Sequence, residues 1–234
     1  MTRLSITPEA WRLDKPAVTS DGGIVVTQHQ LASQVGADTL ARGGNAVDAA
    51  VAAGFALGAV EPWMSGIGGC GYLVYYSAAE HKSYAIEFGV KSSEIVDPSA
   101  YPLAGGEDAG WFEWPEVVGD RNIRGPLSVA VPGQVAGLRQ ALRRFGTLDW
   151  REVLAPATRL AEEGLEVDWY GTLKIASQAR ELSAQEHSAR IFLPHGFVPV
   201  GEWAGPLPSI HLGELARTLR RLADAGAEDF YQGE

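Results

Sequence analysis

The stretch that most constrains the fold is Ala46–Val60, which is small or apolar nearly all round. A helix with a polar face can lie on a surface; one without it is buried and must be wrapped by other elements. Ala50, Ala53, Gly54 and Gly58 keep its surface thin, so neighbours can come close. Its ends are written into the sequence. Asn45 is an N-cap candidate, and Asp48 three residues later completes a near capping box at the positive end of the helix dipole. Glu61-Pro62 ends the helix, since the residue before a proline avoids helical angles. The run is too short for a membrane span, which takes roughly 18 uninterrupted apolar residues.

The rest of the chain supplies what wraps it. Ile24-Val25-Val26-Thr27 reads as a buried strand, and residues 30–42 as a helix stopped by Gly43-Gly44. A tight glycine loop, Ser65-Gly66-Ile67-Gly68-Gly69-Cys70-Gly71, leads into two hairpin strands, residues 72–76 and 83–88. Residues 90–123 read as a long ordered loop, in which Trp111, Phe112 and Trp114 need something to pack on. After Val131-Pro132-Gly133, the spacing of Val135, Leu138, Leu142 and Phe145 predicts a helix closed by Gly146. Asp149 and Glu152 form a capping-box pair for another helix running to about Glu163, and Gly164 stops it. A last helix carries Leu212, Leu215, Leu219 and Leu222, with Gly226 as its stop. No linker splits residues 22–234 into domains, and residues 1–21 read as an N-terminal extension.

Composition narrows the function. Of 234 residues, 46% are hydrophobic and 21% charged, values of a globular chain and not of a disordered one. The net charge of -10 disfavours nucleic acid and anionic membrane as partners. One cysteine, Cys70, can form no internal disulfide and no cysteine-rich zinc site. The first residues hold no apolar core of a secretory signal, which points to a cytoplasmic setting without excluding a periplasmic or secreted one.

Few constellations carry chemistry by themselves. The glycine loop follows a helix and opens a strand, the reverse of a dinucleotide fingerprint, so it reads as a turn that needs positive φ angles and close backbone approach. No pair among His29, His81, His187, His195 and His211 has metal-ligand spacing, and no metal is expected. Cys70 has no neighbouring histidine or cation to activate it and reads as a small packed side chain. Removal of Met1 would leave Thr2 with a free amine able to serve its own hydroxyl, but no buried strand follows to hold it.

Several blocks, in order, resemble the large subunit of the γ-glutamyltransferase family. Residues 43–52 read GGNAVDAAVA, and Glu61-Pro62 with Ser65-Gly66-Ile67-Gly68-Gly69 follows the family's EPxxSGIGGGG. His29 with Leu31-Ala32-Ser33 is similar to HPLAS, and residues 131–138 to VPGxVAGL. Pro156-Ala157 with Leu160-Ala161-Glu162 and Gly164 resembles PAxxLAExG, and Phe230-Tyr231-Gln232-Gly233 resembles FYxG. The resemblance implies an α+β fold, the four-layer αββα sandwich of N-terminal-nucleophile hydrolases. It also implies a self-cleaving precursor whose small subunit begins with the nucleophilic threonine. That threonine cleaves a small-molecule amide through an acyl-enzyme, with no cofactor.

Two departures follow from the same resemblance. The expected threonine lies beyond the family's large subunit, so no catalytic residue is expected in this chain and activity needs the companion subunit. The family's D-x-R-E-x-A-P pattern carries an arginine that holds the α-carboxylate of the γ-glutamyl group. Aligning Ile86-Glu87-Phe88 with it puts Gly89 at the arginine position. The substrate contacts expected here are Gly89 and Lys91. Lys91 either replaces the charge, as a point charge without fork geometry, or is a solvated loop lysine. Either way the departure points from γ-glutamyl amides towards another amide, as an acylase would cleave, with a non-catalytic binding relative as the remaining alternative. The Trp111-Phe112-Glu113-Trp114 loop either lines a different acyl pocket or packs.

Overall fold

The computed structural model of the protein describes residues 14–107 and 114–233. Its chain is α+β, and its centre is the apolar helix α2 (Ala46–Val60), in which Val51, Ala52, Ala56 and Ala59 are fully buried. Helix α1 (Gln30–Ala41) lies on one side of α2 and α4 (Trp150–Glu163) on another, and α8 (Gly213–Ala225) packs on α4. The rings of Phe55 and Trp150 meet edge to face at 5.4 Å, and the Trp150 indole N–H donates to the Leu222 carbonyl at 2.7 Å. One bond thereby ties α4 to the last turn of α8.

Asp48 shows why the start of α2 is acidic. Asn45 accepts from the backbone N–H groups of Val47 and Asp48, and the Asp48 carboxylate takes the Asn45 N–H back. The same carboxylate accepts from the backbone and hydroxyl of Thr147 and from the Leu148 N–H. It therefore caps its own helix and fastens the turn between α3 (Gln134–Phe145) and α4. Burial alone would push the Asp48 carboxyl up; the hydrogen bonds from Thr147, Asn45 and Leu148 outweigh it and hold the group below the ordinary carboxylate range.

Strands β1 (Gly71–Ser77) and β2 (Lys82–Phe88) pair antiparallel, with Leu73 opposite Ile86 and Tyr75 opposite Tyr84. These residues face α3, where the ring of Phe145 lies 4.8 Å from Tyr75 and 4.9 Å from Tyr84. The other face of the hairpin is uncovered. Tyr72, Val74 and Tyr76 on it are 75%, 81% and 58% exposed. Among the described residues the remaining pairings are short: β3 (Leu103–Glu107) with β4 (Pro115–Val117), across an irregular register, and β5 (Leu165–Glu166) with β6 (Ser209–Ile210).

Three sequence expectations need correction. Residues 24–27 form no regular element and join no ladder. Val25 packs on Gly36 of α1, while Ile24 and Val26 point outward, because a strand needs a partner and the described residues offer none. Residues 90–123, expected as a long ordered loop, also hold the β3–β4 pairing; Trp111 and Phe112 fall outside the described residues, and Trp114 is mostly exposed. Thr2 also lies outside the described residues. No glycine between 66 and 71 has a positive φ. Their smallness matters instead: a Cβ on Gly58 of α2 would sit 3.2 Å from Gly66 Cα. Helix α5 (Trp169–Ser177) and the short helices α6 (Ala179–Ser183) and α7 (Glu186–Phe192) had no counterpart in the sequence reading. No helix among the described residues is long and apolar enough to cross a membrane.

Candidate functional site

The chain converges at the open end of the β1–β2 hairpin. Phe88, the last residue of β2, is seated in a notch made of glycines. A Cβ on Gly71 would lie 2.7 Å from its ring, one on Gly137 2.1 Å from its Cγ, and one on Gly133 2.2 Å from its carbonyl oxygen. Such distances are far inside van der Waals contact, so only glycine allows α3 to pass this close to the strand. Beyond Phe88 the chain runs past Gly89 to Lys91, which exchanges backbone hydrogen bonds with Val131 at 3.1 and 2.8 Å.

The start of α3 clasps the glycine loop in turn. The N–H groups of Gly133 and Gln134 both donate to the Gly69 carbonyl, at 3.1 and 3.0 Å. First-turn N–H groups have no partner within their own helix, so the loop carbonyl caps α3 while α3 fixes the loop. Tyr231, in the terminal helix α9 (Asp229–Gln232), closes the arrangement: its hydroxyl accepts from the Ala136 N–H at 3.1 Å and donates to the Pro132 carbonyl at 3.0 Å. Burial pushes its phenol up, against the Ala136 hydrogen bond. Four separated motifs thus meet at one place: the glycine loop, residues 88–91, residues 131–137 and the Phe230-Tyr231 segment.

Gly89 is half-buried and Lys91 exposed at the rim of this place. A Cβ at Gly89 would find only Glu87 Oε1, at 3.9 Å, beyond its chain neighbours. The backbone there needs no positive φ, so the position is open to a side chain. Behind the glycine loop lies a cleft of about 610 Å³, lined by residues 65–68, Arg190, Phe192, His211 and the start of α8. A second cleft of about 630 Å³ opens beside Trp63, with Lys174, Ile175, Arg180 and Phe192. In the turn between them, Glu61 Oε1 and Trp63 Nε1 are buried with no hydrogen-bond partner among the described residues. Sequence reasoning missed both clefts, because α6 and α7 are too short to show a helical repeat. Cys70 is exposed, and His29 caps α1 through Nδ1, which accepts from Leu31 N–H at 3.2 Å. Among the described residues no group of three His, Cys, Asp or Glu side chains gathers to hold a metal ion.

Comparison with known proteins gives a consistent result. The sequence model described as Gamma-glutamyltranspeptidase matches residues 32–234. The glutathione hydrolase proenzyme of Bacillus subtilis (strain 168) is 32% identical over 227 residues, 97% of this chain and 36% of the relative. An acylase of Pseudomonas sp. (strain V22), the ACY 1 proenzyme, is 36% identical over 229 residues, 94% of this chain and 38% of the relative. The crystal structure of Helicobacter pylori gamma-glutamyltranspeptidase superposes with a TM-score of 0.80 at 29% identity, covering 94% of this chain and 59% of that one. The chain spans little more than a third of the length of these curated relatives.

Proposed function

Since the chain belongs to the gamma-glutamyltranspeptidase family of the N-terminal-nucleophile hydrolases, we propose that residues 22–234 form the large-subunit part of a self-processed amidohydrolase or acyltransferase. The nucleophile is the terminal threonine of a companion small subunit. Its hydroxyl oxygen attacks the amide carbonyl while its own amine takes the proton and passes it to the leaving amine. Water or an acceptor amine then releases the acyl group. Donors preorganised around the developing oxyanion supply much of the rate. This chain's part is to build one wall of the acyl site, at Gly89 and Lys91, with no cofactor.

The observation that carries the reading is the convergence of the glycine loop, residues 88–91 and the start of α3 beside an uncovered apolar strand face. Helices cover one face of the hairpin; a second β-layer on the Tyr72, Val74 and Tyr76 face would complete a four-layer sandwich. Large exposed apolar faces mark partner surfaces, which weighs against a stand-alone scaffold.

A second reading concerns specificity. Glycine at the position of the carboxylate-holding arginine, together with the similarity to an acylase, favours an acyl group other than γ-glutamyl. Intact mass and N-terminal sequencing of the processed protein test the first reading. The expected result is a second chain headed by threonine; a single unprocessed chain active on amides would overturn it.

A further inference from the structure

The cleft beside Trp63 is separate from the proposed acyl wall. Neither Gly89 nor Lys91 lines it, and it shares no residue with the hairpin face assigned to the companion chain. At about 630 Å³ it has the size of a small-molecule site. Its walls come from the turn after α2 and from α5, α6 and α7, and Trp63, Ile175, Leu182 and Phe192 make them apolar. The Trp63 ring stands edge to face with Tyr170 at 6.1 Å, and the Lys174 ammonium lies 5.2 Å from the centre of the same Tyr170 ring. An aromatic wall thus carries a cation at the rim of the cleft.

The charge of the cleft runs against that of the chain. The whole chain carries -10, yet three cations, Arg124, Lys174 and Arg180, line the cleft with one acid, Glu181. That acid is engaged by Arg124, at 3.3 Å. Lys174 and Arg180 take part in no ion pair among the described residues. Two uncompensated cations therefore border an apolar cavity, on a molecule that otherwise repels anions.

We propose that this cleft binds a small organic carboxylate with an apolar body about one aromatic ring in size. The carboxylate pairs with Arg180 and Lys174, and the body packs against Trp63 and Phe192. The guanidinium fork of an arginine matches a carboxylate, and the lysine adds a point charge. Burial of the ring supplies most of the affinity. The two cations supply the selection, by attracting the acid and repelling an amine of the same shape.

Isothermal titration calorimetry on the full-length protein tests this with four probes: 4-phenylbutyrate, its neutral amide 4-phenylbutyramide, the cation 4-phenylbutylamine, and butyrate, which lacks the ring. 4-Phenylbutyrate should bind about tenfold more tightly than the amide, through two partly exposed charge contacts. It should bind about tenfold more tightly than butyrate, through the buried ring. The amine should be the weakest of the ring-bearing probes. Added salt should weaken binding of the acid and leave the amide unchanged. Arg180→Gln and Lys174→Gln should each weaken the acid about threefold to fivefold and leave the amide as it was. Both side chains lie at the surface of the cleft, so neither replacement removes core packing. Equal affinity for acid and amide, an acid affinity that neither replacement moves, or no binding of 4-phenylbutyrate overturns the proposal.

Discussion

At the scale of single residues, the structure turns sequence motifs into contacts with consequences. Asp48 makes its contacts only as a carboxylate that accepts at every position. Asp48→Asn should cost about 1.5–3 kcal/mol, the range for hydrogen bonds to a charged group, measured by urea unfolding at neutral pH. Because the folded pKa lies below the unfolded one, this stabilisation is complete above about pH 4 and is lost as pH falls through the lower, folded value. The variant's acid-side stability curve should accordingly be flatter than the native one. Gly137 is a different case. A methyl group there meets Cγ and Cβ of Phe88, atoms that leucine also carries, so Gly137→Ala should destabilise by about 1–3 kcal/mol in thermal melting and Phe88→Leu should not recover the loss. Gly133 faces a backbone carbonyl, which no side-chain replacement removes, so Gly133→Ala should be destabilising whatever stands at position 88.

Among the elements, α2 and its neighbours were legible because helix ends are local. Asn45, Asp149, Gly43, Gly164 and Gly226 stand where the sequence put the caps and stops, since each acts on backbone groups within a turn of itself. The segment 24–27 was misread for the opposite reason. Its apolar run has the composition of a strand, but pairing depends on a partner the sequence of the segment does not contain. Gly89 is proposed from a motif alone, and the structure adds what no motif holds: the position has room. At this scale the edge-to-face contact of Phe55 with Trp150 gives a direct check. Phe55→Ala should cost about 3–5 kcal/mol in denaturant unfolding, and a value under 1 would mean that α2 is not the centre of the core.

For the molecule as a whole, the uneven covering of the hairpin decides behaviour in solution. The chain produced alone should associate through the face of Tyr72, Val74 and Tyr76. Produced with the companion chain, it should elute as a defined complex, by size exclusion with light scattering. Replacing Val74 with Lys should improve solubility of the lone chain and weaken the complex. A monodisperse lone chain unaffected by the replacement would count against a covering layer.

The clasp on the glycine loop has a further, practical consequence. The peptide unit is planar and trans, so a carbonyl held by two donors of α3 aims the next N–H the opposite way. That next residue is Cys70, the sole thiol of the sequence, and it is exposed. Nature has thus left this chain a single attachment point for a fluorophore, next to a carbonyl that α3 holds in place. An environment-sensitive dye there would report arrival of the second chain in real time, in the native sequence, with no engineered handle.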